Sequence, residues 1–196
     1  MLKIKNVYYL KSARKADDFP SLAYPEFAFL GRSNVGKSSF INMLMGKKDL
    51  VKVGSTPGVT KTINFFILND SISLVDLPGY GYAKLPMELR KSFLPLIKTY
   101  ITGRENLRLA FLLIDIRRIP GDFERDIIQE LGRMNIPVAV VATKCDKLSN
   151  NSRPRGIREI AEALQIDKDQ ILPSSAKNSE GRKETLHLIE SFSARK

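Results

Sequence analysis

Gly31-Arg32-Ser33-Asn34-Val35-Gly36-Lys37-Ser38 sets two glycines, a lysine and a hydroxyl residue at the spacing G-x-x-x-x-G-K-[ST]. An apolar run, Phe27–Leu30, precedes it, and a helical pattern, Lys37–Met45, follows it. In that context the pattern makes a phosphate cradle. Glycines let backbone N–H groups close around an anion with no Cβ in the way, and the helix N-terminus adds partial positive charge. Lys37 is placed to reach the β and γ phosphates. The Ser38 hydroxyl suits Mg2+, a hard cation that takes oxygen ligands and keeps water and phosphate oxygens around it. A second motif, Asp76-Leu77-Pro78-Gly79, closes another apolar run. Its carboxylate suits Mg2+ held through water, and the Gly79 N–H suits a γ-phosphate sensor. Alone, Asp76–Gly79 reads as a strand-end turn; after a phosphate loop it reads as a nucleotide switch.

Thr143-Lys144-Cys145-Asp146 follows the apolar run Val138–Ala142. A carboxylate accepts two hydrogen bonds from guanine's N1–H and exocyclic amine, whereas adenine presents an acceptor at N1 and no amine at that edge. Asp146 therefore selects guanine, and the Lys144 stem covers the base face and helps close the phosphate loop. Ser174-Ser175-Ala176-Lys177, after Ile171–Leu172, offers a backbone N–H to the guanine carbonyl oxygen. Either tetrapeptide alone reads equally as a capping turn. Four elements in this order point to GTP and GDP.

These loops need strands to end on. Phe27–Leu30, Ile63–Leu68, Ile72–Val75, Leu109–Ile114, Val138–Ala142 and Ile171–Leu172 are short apolar runs of the buried-strand type. Lys37–Met45, Met87–Thr102, Asp122–Met134, Pro154–Leu164 and Gly181–Phe192 carry apolar residues at helical spacing. The alternation predicts an α/β fold, a three-layer arrangement with a mostly parallel sheet and helices on both faces. Asn69-Asp70-Ser71 predicts a hairpin and hence one antiparallel strand. Ligands of such sheets sit at the carboxyl ends of the strands, where every motif above falls. Ile4, Val7, Tyr9 and Leu10 offer an extra edge strand, with Ser12–Ser21 as a connecting loop. The expected organisation is one domain over residues 1–196, with 1–25 as an N-terminal extension.

Of the 196 residues, 43% are apolar and 27% charged, which suffices for a core and excludes a wholly disordered chain. The longest apolar runs fall far short of the roughly 18–20 residues a membrane span needs. The first ten residues lack the continuous apolar block of a signal peptide, so a cytoplasmic protein is expected. Cys145, the single cysteine, forms no internal disulfide. Lys and Arg number 32 against 21 Asp and Glu, a net charge of +11. That excess suits a polyanionic partner or simply a solvated surface.

On Gly31–Asn42, Pro57–Phe66, Asp76–Lys84 and Tyr100–Leu107, the chain resembles the bacterial EngB/YihA/YsxC group of translation-factor-class P-loop GTPases. The wider GTPase likeness runs from about Phe27 to the C-terminus. The resemblance implies GTP hydrolysis and GTP-dependent help in assembling the large ribosomal subunit, through rRNA or pre-ribosomal particles. Its alternative implication is a GTP-dependent protein-interaction switch in cell division or septation. It places the first switch at Gly58-Val59-Thr60-Lys61-Thr62, with Thr60 as second Mg2+ ligand and γ-phosphate sensor and Thr62 as the competing choice. Gly54–Thr62 is a Gly/Thr/Pro loop suited to an order–disorder transition. Lys37, Thr60 and Gly79 then carry catalysis. Thr143 stands where the wider superfamily has Asn, which implies a lost amide contact to the base or the phosphate loop; Cys145 fills a variable slot as a passenger. Asn34 resembles the residue with which some relatives bind K+ in place of a catalytic arginine.

After Gly79 comes Tyr80-Gly81-Tyr82, with no Gln or Glu until Glu88, so slow intrinsic hydrolysis is expected. His187 is expected to be structural or exposed. Tyr80, Tyr82, Lys84, Arg90, Lys91 and Arg104 form either a nucleotide-gated rRNA contact or a packed loop with solvated cations. A nucleoside kinase and an ATPase are disfavoured by the Thr143–Asp146 loop. One complete site gives no reason to require more than a monomer.

Overall fold

The computed structural model describes residues 2–51, 62–81 and 87–194, with residues 87–94 described by their backbone alone. The strands are β1 (Val7–Ala13), β2 (Glu26–Gly31), β3 (Ile63–Leu68), β4 (Ile72–Asp76), β5 (Leu107–Asp115), β6 (Val138–Thr143) and β7 (Ile171–Pro173). The helices are α1 (Lys37–Met45), α2 (Met87–Thr102), α3 (Asp122–Arg133), α4 (Arg153–Leu164) and α5 (Arg182–Ser193). One seven-stranded sheet runs in the order β1-β3-β4-β2-β5-β6-β7. β3 is the one reversed strand and pairs antiparallel on both sides, with β1 and β4. Asn69 and Asp70 turn the β3–β4 hairpin at φ +52° and +53°, a region these two side chains tolerate better than most.

Alternation along the central strands builds two apolar layers. Phe27, Phe29 and Phe111 face Phe40 and Leu44 of α1 and Leu186 and Ile189 of α5. Phe29 and Phe111 stack with ring centroids 5.1 Å apart. Their neighbours Ala28, Leu30 and Leu112 face the other way, toward Ile101 of α2, Leu131 of α3 and Ile160 of α4. Strands buried on both faces hold their loops rigidly, which is what a site at the strand ends requires.

The N-terminal segment corrects one expectation. Ser12 and Ala13 belong to β1 rather than to a connecting loop, pairing with Asn64 and Ile63. An irregularity between Tyr9 and Lys11 shifts the register. Val7 and Ala13 are buried, whereas Tyr9 and Leu10 stay exposed. The chain then turns through Ala16–Asp18 and tucks Phe19 beside Tyr100, ring centroids 5.8 Å apart.

Arg104 corrects another. Its guanidinium lies against the fully buried Glu26 carboxylate, with Nε 2.9 Å from Oε2, and donates to the Pro20 carbonyl at 3.1 Å. Tyr100 Oη donates to the same carboxylate at 2.9 Å. A charge without water must be matched inside the protein, and Arg104 serves that need instead of facing an RNA. No helix among the described residues is long and apolar enough to cross a membrane.

Candidate functional site

The phosphate loop leaves β2 at Gly31 and enters α1 at Lys37. A Cβ on Gly31 would stand 2.8 Å from Val35 Cγ1 and 3.0 Å from the Leu113 carbonyl oxygen, so only glycine fits. Gly36 adopts φ +102°, a left-handed conformation that opens the loop into the helix. Val35 is buried and pins the loop to the core, while Asn34 stands exposed at the crown with φ +64°.

The Asp76–Gly79 segment is sewn to this loop. Ser33 N–H donates to the Tyr80 carbonyl at 2.7 Å, and Tyr80 N–H donates to the Gly31 carbonyl at 3.3 Å. Ser33 Oγ reaches the Gly79 carbonyl at 3.4 Å. Leu77 and Pro78 are buried, which fixes the turn from below. The Lys37 ammonium pairs with the Asp76 carboxylate, both side chains about a tenth exposed. Arg32 bridges to Tyr80 through its backbone.

Asn64 is a site residue that sequence reasoning missed. Its amide nitrogen approaches Asp76 Oδ2 at 3.4 Å, and its Oδ1 accepts from Ser12 Oγ at 2.6 Å and from Thr62 Oγ1 at 3.3 Å. Ser12, Asn64 and Asp76 stand opposite one another on β1, β3 and β4. The signal existed only in the strand register. Thr62 is buried with its hydroxyl turned to Asn64. Gly58, Val59, Thr60 and Lys61 lie outside the described residues, as do Tyr82 and Lys84; Arg90 and Lys91 are described by backbone only.

Around the Thr143–Asp146 and Ser174–Lys177 loops lies a cavity of about 360 Å³, bounded by Gly36, Phe40, Lys144, Asp146, Ser174 and Ala176. Asp146 Oδ1 accepts from Ser175 Oγ at 2.7 Å. That hydrogen bond, with Lys147 3.6 Å away, holds the Asp146 carboxyl below its ordinary range despite some burial. Lys144, at φ +61°, lays its stem over Gly36, where a Cβ would stand 3.4 Å from Lys144 Cε. Its ammonium donates to the Asn34 carbonyl at 2.5 Å and stands 3.1 Å from Asp115. Burial pushes the Asp115 carboxyl up, but hydrogen bonds from Arg117 and Lys144 outweigh it and hold it at about 2. Asp115, Ser39, Phe40 and Lys147 were not foreseen; Ser39 and Phe40 follow directly from the first turn of α1.

Thr143 departs from expectation. Its hydroxyl donates to the Val35 carbonyl at 2.7 Å, so the tie from base loop to phosphate loop is kept by a hydroxyl in place of an amide. Cys145 is fully buried with its thiol pushed up by burial, which fits a packing role. In the last loop, the N–H groups of Ser174, Ser175 and Lys177 are engaged by Ala142 O, Glu180 O and Ser175 Oγ. Ala176 between them is exposed and lines the cavity.

Ser38 and Asp76 supply hydroxyl and carboxylate oxygens, the donor chemistry Mg2+ prefers, and no group of three His, Cys, Asp or Glu among the described residues offers a rival cage. A metal here would share its sphere with phosphate oxygens. Tyr80 is buried against Phe123, ring centroids 4.3 Å apart, and its hydroxyl has no hydrogen-bond partner among the described residues. It cannot serve as an exposed stacking platform. His187 is exposed on α5.

A parallel sheet with a glycine–lysine phosphate loop after β2, a carboxylate at the end of β4 and a second one beyond β6 defines a P-loop guanine-nucleotide-binding fold. The family model for 50S ribosome-binding GTPases matches residues 26–144. The probable GTP-binding protein EngB of Pelobacter propionicus is 47% identical over 191 residues, 95% of this chain and 96% of that one. Its counterpart in Desulfatibacillum aliphaticivorans is 49% identical over 95% of this chain and 91% of its own. The crystal structure of a probable GTP-binding protein EngB superimposes with TM-score 0.71 at 27% identity, over 85% of this chain and 97% of that chain. An Era structure in complex with MgGDPNP and nucleotides 1506–1542 of 16S ribosomal RNA gives TM-score 0.62 at 25% identity, over 88% of this chain and 58% of that chain. The chain belongs to the EngB family of GTP-binding proteins, and it is a GTPase.

Proposed function

We propose that this GTPase is a nucleotide-dependent switch for large ribosomal subunit assembly, contacting the subunit or its rRNA in the GTP form. The observation that carries the nucleotide half is the Asp146–Ser175 pair beside a cavity that also meets Gly36 of the phosphate loop. Asp146 accepts the guanine N1–H and amine, the Lys144 stem covers the base, and the Ala176 N–H meets the carbonyl oxygen. With phosphates in the loop the Lys37 ammonium would turn from Asp76 toward them, and Asp76, Ser38 and, by the family pattern, Thr60 would hold Mg2+. Mg2+ when bound neutralises charge developing on the phosphates. The Gly79 N–H senses the γ phosphate.

Hydrolysis by the isolated chain is slow in this reading. Tyr80 follows Gly79, and burial pushes its phenol well above the ordinary range, so it does not deprotonate a water. The exposed Asn34 amide is the candidate K+ ligand, and faster hydrolysis in K+ than in Na+ buffer is the expected sign; equal rates remove that role. The chain acts as one domain and as a monomer, since one set of loops supplies every nucleotide contact.

The ribosomal half is supported by the net charge of +11, by the 50S description of the matching family and by the rRNA bound to the Era protein. Sedimentation of the intact chain with large subunits tests it. Co-sedimentation with GDPNP but not GDP is expected; no association, or equal association with both nucleotides, overturns it.

A further inference from the structure

Two tyrosines that the nucleotide site does not use stand side by side on the outermost strand. β1 ends the sheet, so its outer row of N–H and C=O groups has no strand beside it among the described residues. Tyr8, Tyr9 and Leu10 are 45%, 52% and 37% exposed, three of the four large apolar side chains that the described residues leave in solvent. Exposed apolar surface on an edge strand invites a partner. Strand alternation sends the rings to opposite sides of the edge. Tyr9 leans edge-on against Phe66, centroids 5.7 Å apart, with its hydroxyl 2.8 Å from Ser12 Oγ. Tyr8 Oη donates to Asp70 at 3.1 Å. Each ring is thus oriented through its hydroxyl while about half of its surface stays open.

The surrounding charge has one dominant sign. Residues 1–16 carry five cations, Lys3, Lys5, Lys11, Arg14 and Lys15, and no acidic residue. Lys3, Lys5, Arg14 and Lys15 are exposed, and Lys11 is half-buried. Lys47, exposed after α1, adds a sixth by donating to the Val7 carbonyl at 2.7 Å. Three acids border these six cations: Asp70 accepts from Tyr8 and Asn6, Asp17 lies 3.4 Å from Lys15, and Asp18 accepts from the Arg14 N–H at 3.3 Å.

We infer that the outer edge of β1 with the residues leading into it is a docking surface for unpaired RNA, its bases stacked on Tyr8 and Tyr9 and its phosphates on Lys3, Lys5 and Arg14. Every base has a π-face, so aromatic rings interleaved with cations bind single strands without reading sequence. A protein strand added to the edge would use the same backbone row, but six cations against three bordering acids favour a polyanion. The surface adjoins the nucleotide site, because Ser12, the partner of Tyr9, opens the row Ser12–Asn64–Asp76. This inference rests on the ribosomal reading above and says where RNA touches the chain.

Fluorescence anisotropy with labelled oligouridine tests it, using the full chain loaded with GDPNP. Tyr8→Ala/Tyr9→Ala should weaken binding about a hundredfold, roughly tenfold for each stacked base, while Tyr8→Phe/Tyr9→Phe keeps the rings and the affinity. Lys3→Gln/Lys5→Gln should lower the slope of log affinity against log salt by about 0.7 for each lysine removed, with the thermal midpoint unchanged. Unaltered oligouridine affinity in the alanine pair, or an unaltered slope in the glutamine pair, overturns the surface. Subunit sedimentation separates the two levels of reading. If the intact chain does not sediment with subunits, the ribosomal reading fails; if the intact chain and the alanine pair sediment alike, that reading stands and this surface falls. Sedimentation that needs the tyrosines, in a chain that ignores oligouridine, assigns the edge to a ribosomal protein and overturns RNA as its occupant.

Discussion

Ser175 holds the Asp146 carboxylate, the group proposed to read the base, in place. A carboxylate at a cavity mouth loses part of its hydration, and the 2.7 Å hydrogen bond from Ser175 replaces some of it while fixing the orientation of the acceptor. Asp146→Asn exchanges an acceptor for an amide that pairs with xanthine's C2 carbonyl. GTP affinity should fall roughly 100-fold, about 3 kcal/mol for two charge-assisted hydrogen bonds, and XTP should bind in its place. Competition against a fluorescent guanine nucleotide measures both; ATP competing as well as GTP with the intact chain contradicts the assignment. Asp115 carries a different consequence. Its folded-state value of about 2 lies below the ordinary carboxyl value of 3.8, so its contribution to stability is present above about pH 4 and disappears as pH falls toward 2. Urea midpoints followed down that interval should drop more steeply for the intact chain than for Asp115→Asn, and parallel curves would show that Arg117 and Lys144 do not stabilise the ionised group.

At the scale of elements, β7 and α5 present the loop proposed to face guanine, and Gly181 sets their junction. It caps α5 at φ +79°, and a Cβ there would stand 2.6 Å from the Pro173 carbonyl oxygen. Gly181→Ala should cost about 2–3 kcal/mol and weaken guanine binding, because the clash pushes on Ser174. Gly132→Ala on α3, where a Cβ meets nothing within 4 Å, should be neutral or stabilising; thermal melts of the two variants test the contrast. Apolar periodicity made most of these elements legible in the sequence, with ends displaced by a residue or two, because buried strands and amphipathic helices write their burial into residue type. β1 was half legible. Its register shift puts polar Ser12 within the strand, and an edge strand buries too few side chains to show alternation. Arg104 and Asn64 were misread or missed for a related reason: a buried charge and a cross-strand amide owe their roles to partners 78 and 52 residues away. The phosphate and base loops were legible because their chemistry depends on local spacing, which a linear sequence records directly.

For the whole molecule, the candidate site is a bridge among separate parts of the sheet. It takes loops from the ends of β2, β4, β6 and β7, which share one sheet only in the folded chain, with β5 between the two pairs. A ligand that binds this arrangement and not the unfolded chain stabilises the fold by mass action, about 2.7 kcal/mol at a hundred times its dissociation constant. For a chain of this length each kcal/mol raises the melting temperature by about 2–4 °C, so GTP or GDP at that excess should raise it by about 5–11 °C. ATP should give no shift, and Asp146→Asn should exchange the response to GTP for one to XTP. The high net charge separates this effect from partner binding. RNA contacts made through lysine and arginine release counterions and weaken steeply with salt. The nucleotide, held by directed hydrogen bonds and an enclosed lysine, should keep most of its shift between low and moderate salt. A guanine-dependent shift that survives salt, in a chain whose association with subunits does not, would place nucleotide recognition and RNA contact on different surfaces. A shift lost together with RNA binding would mean that one basic surface serves both.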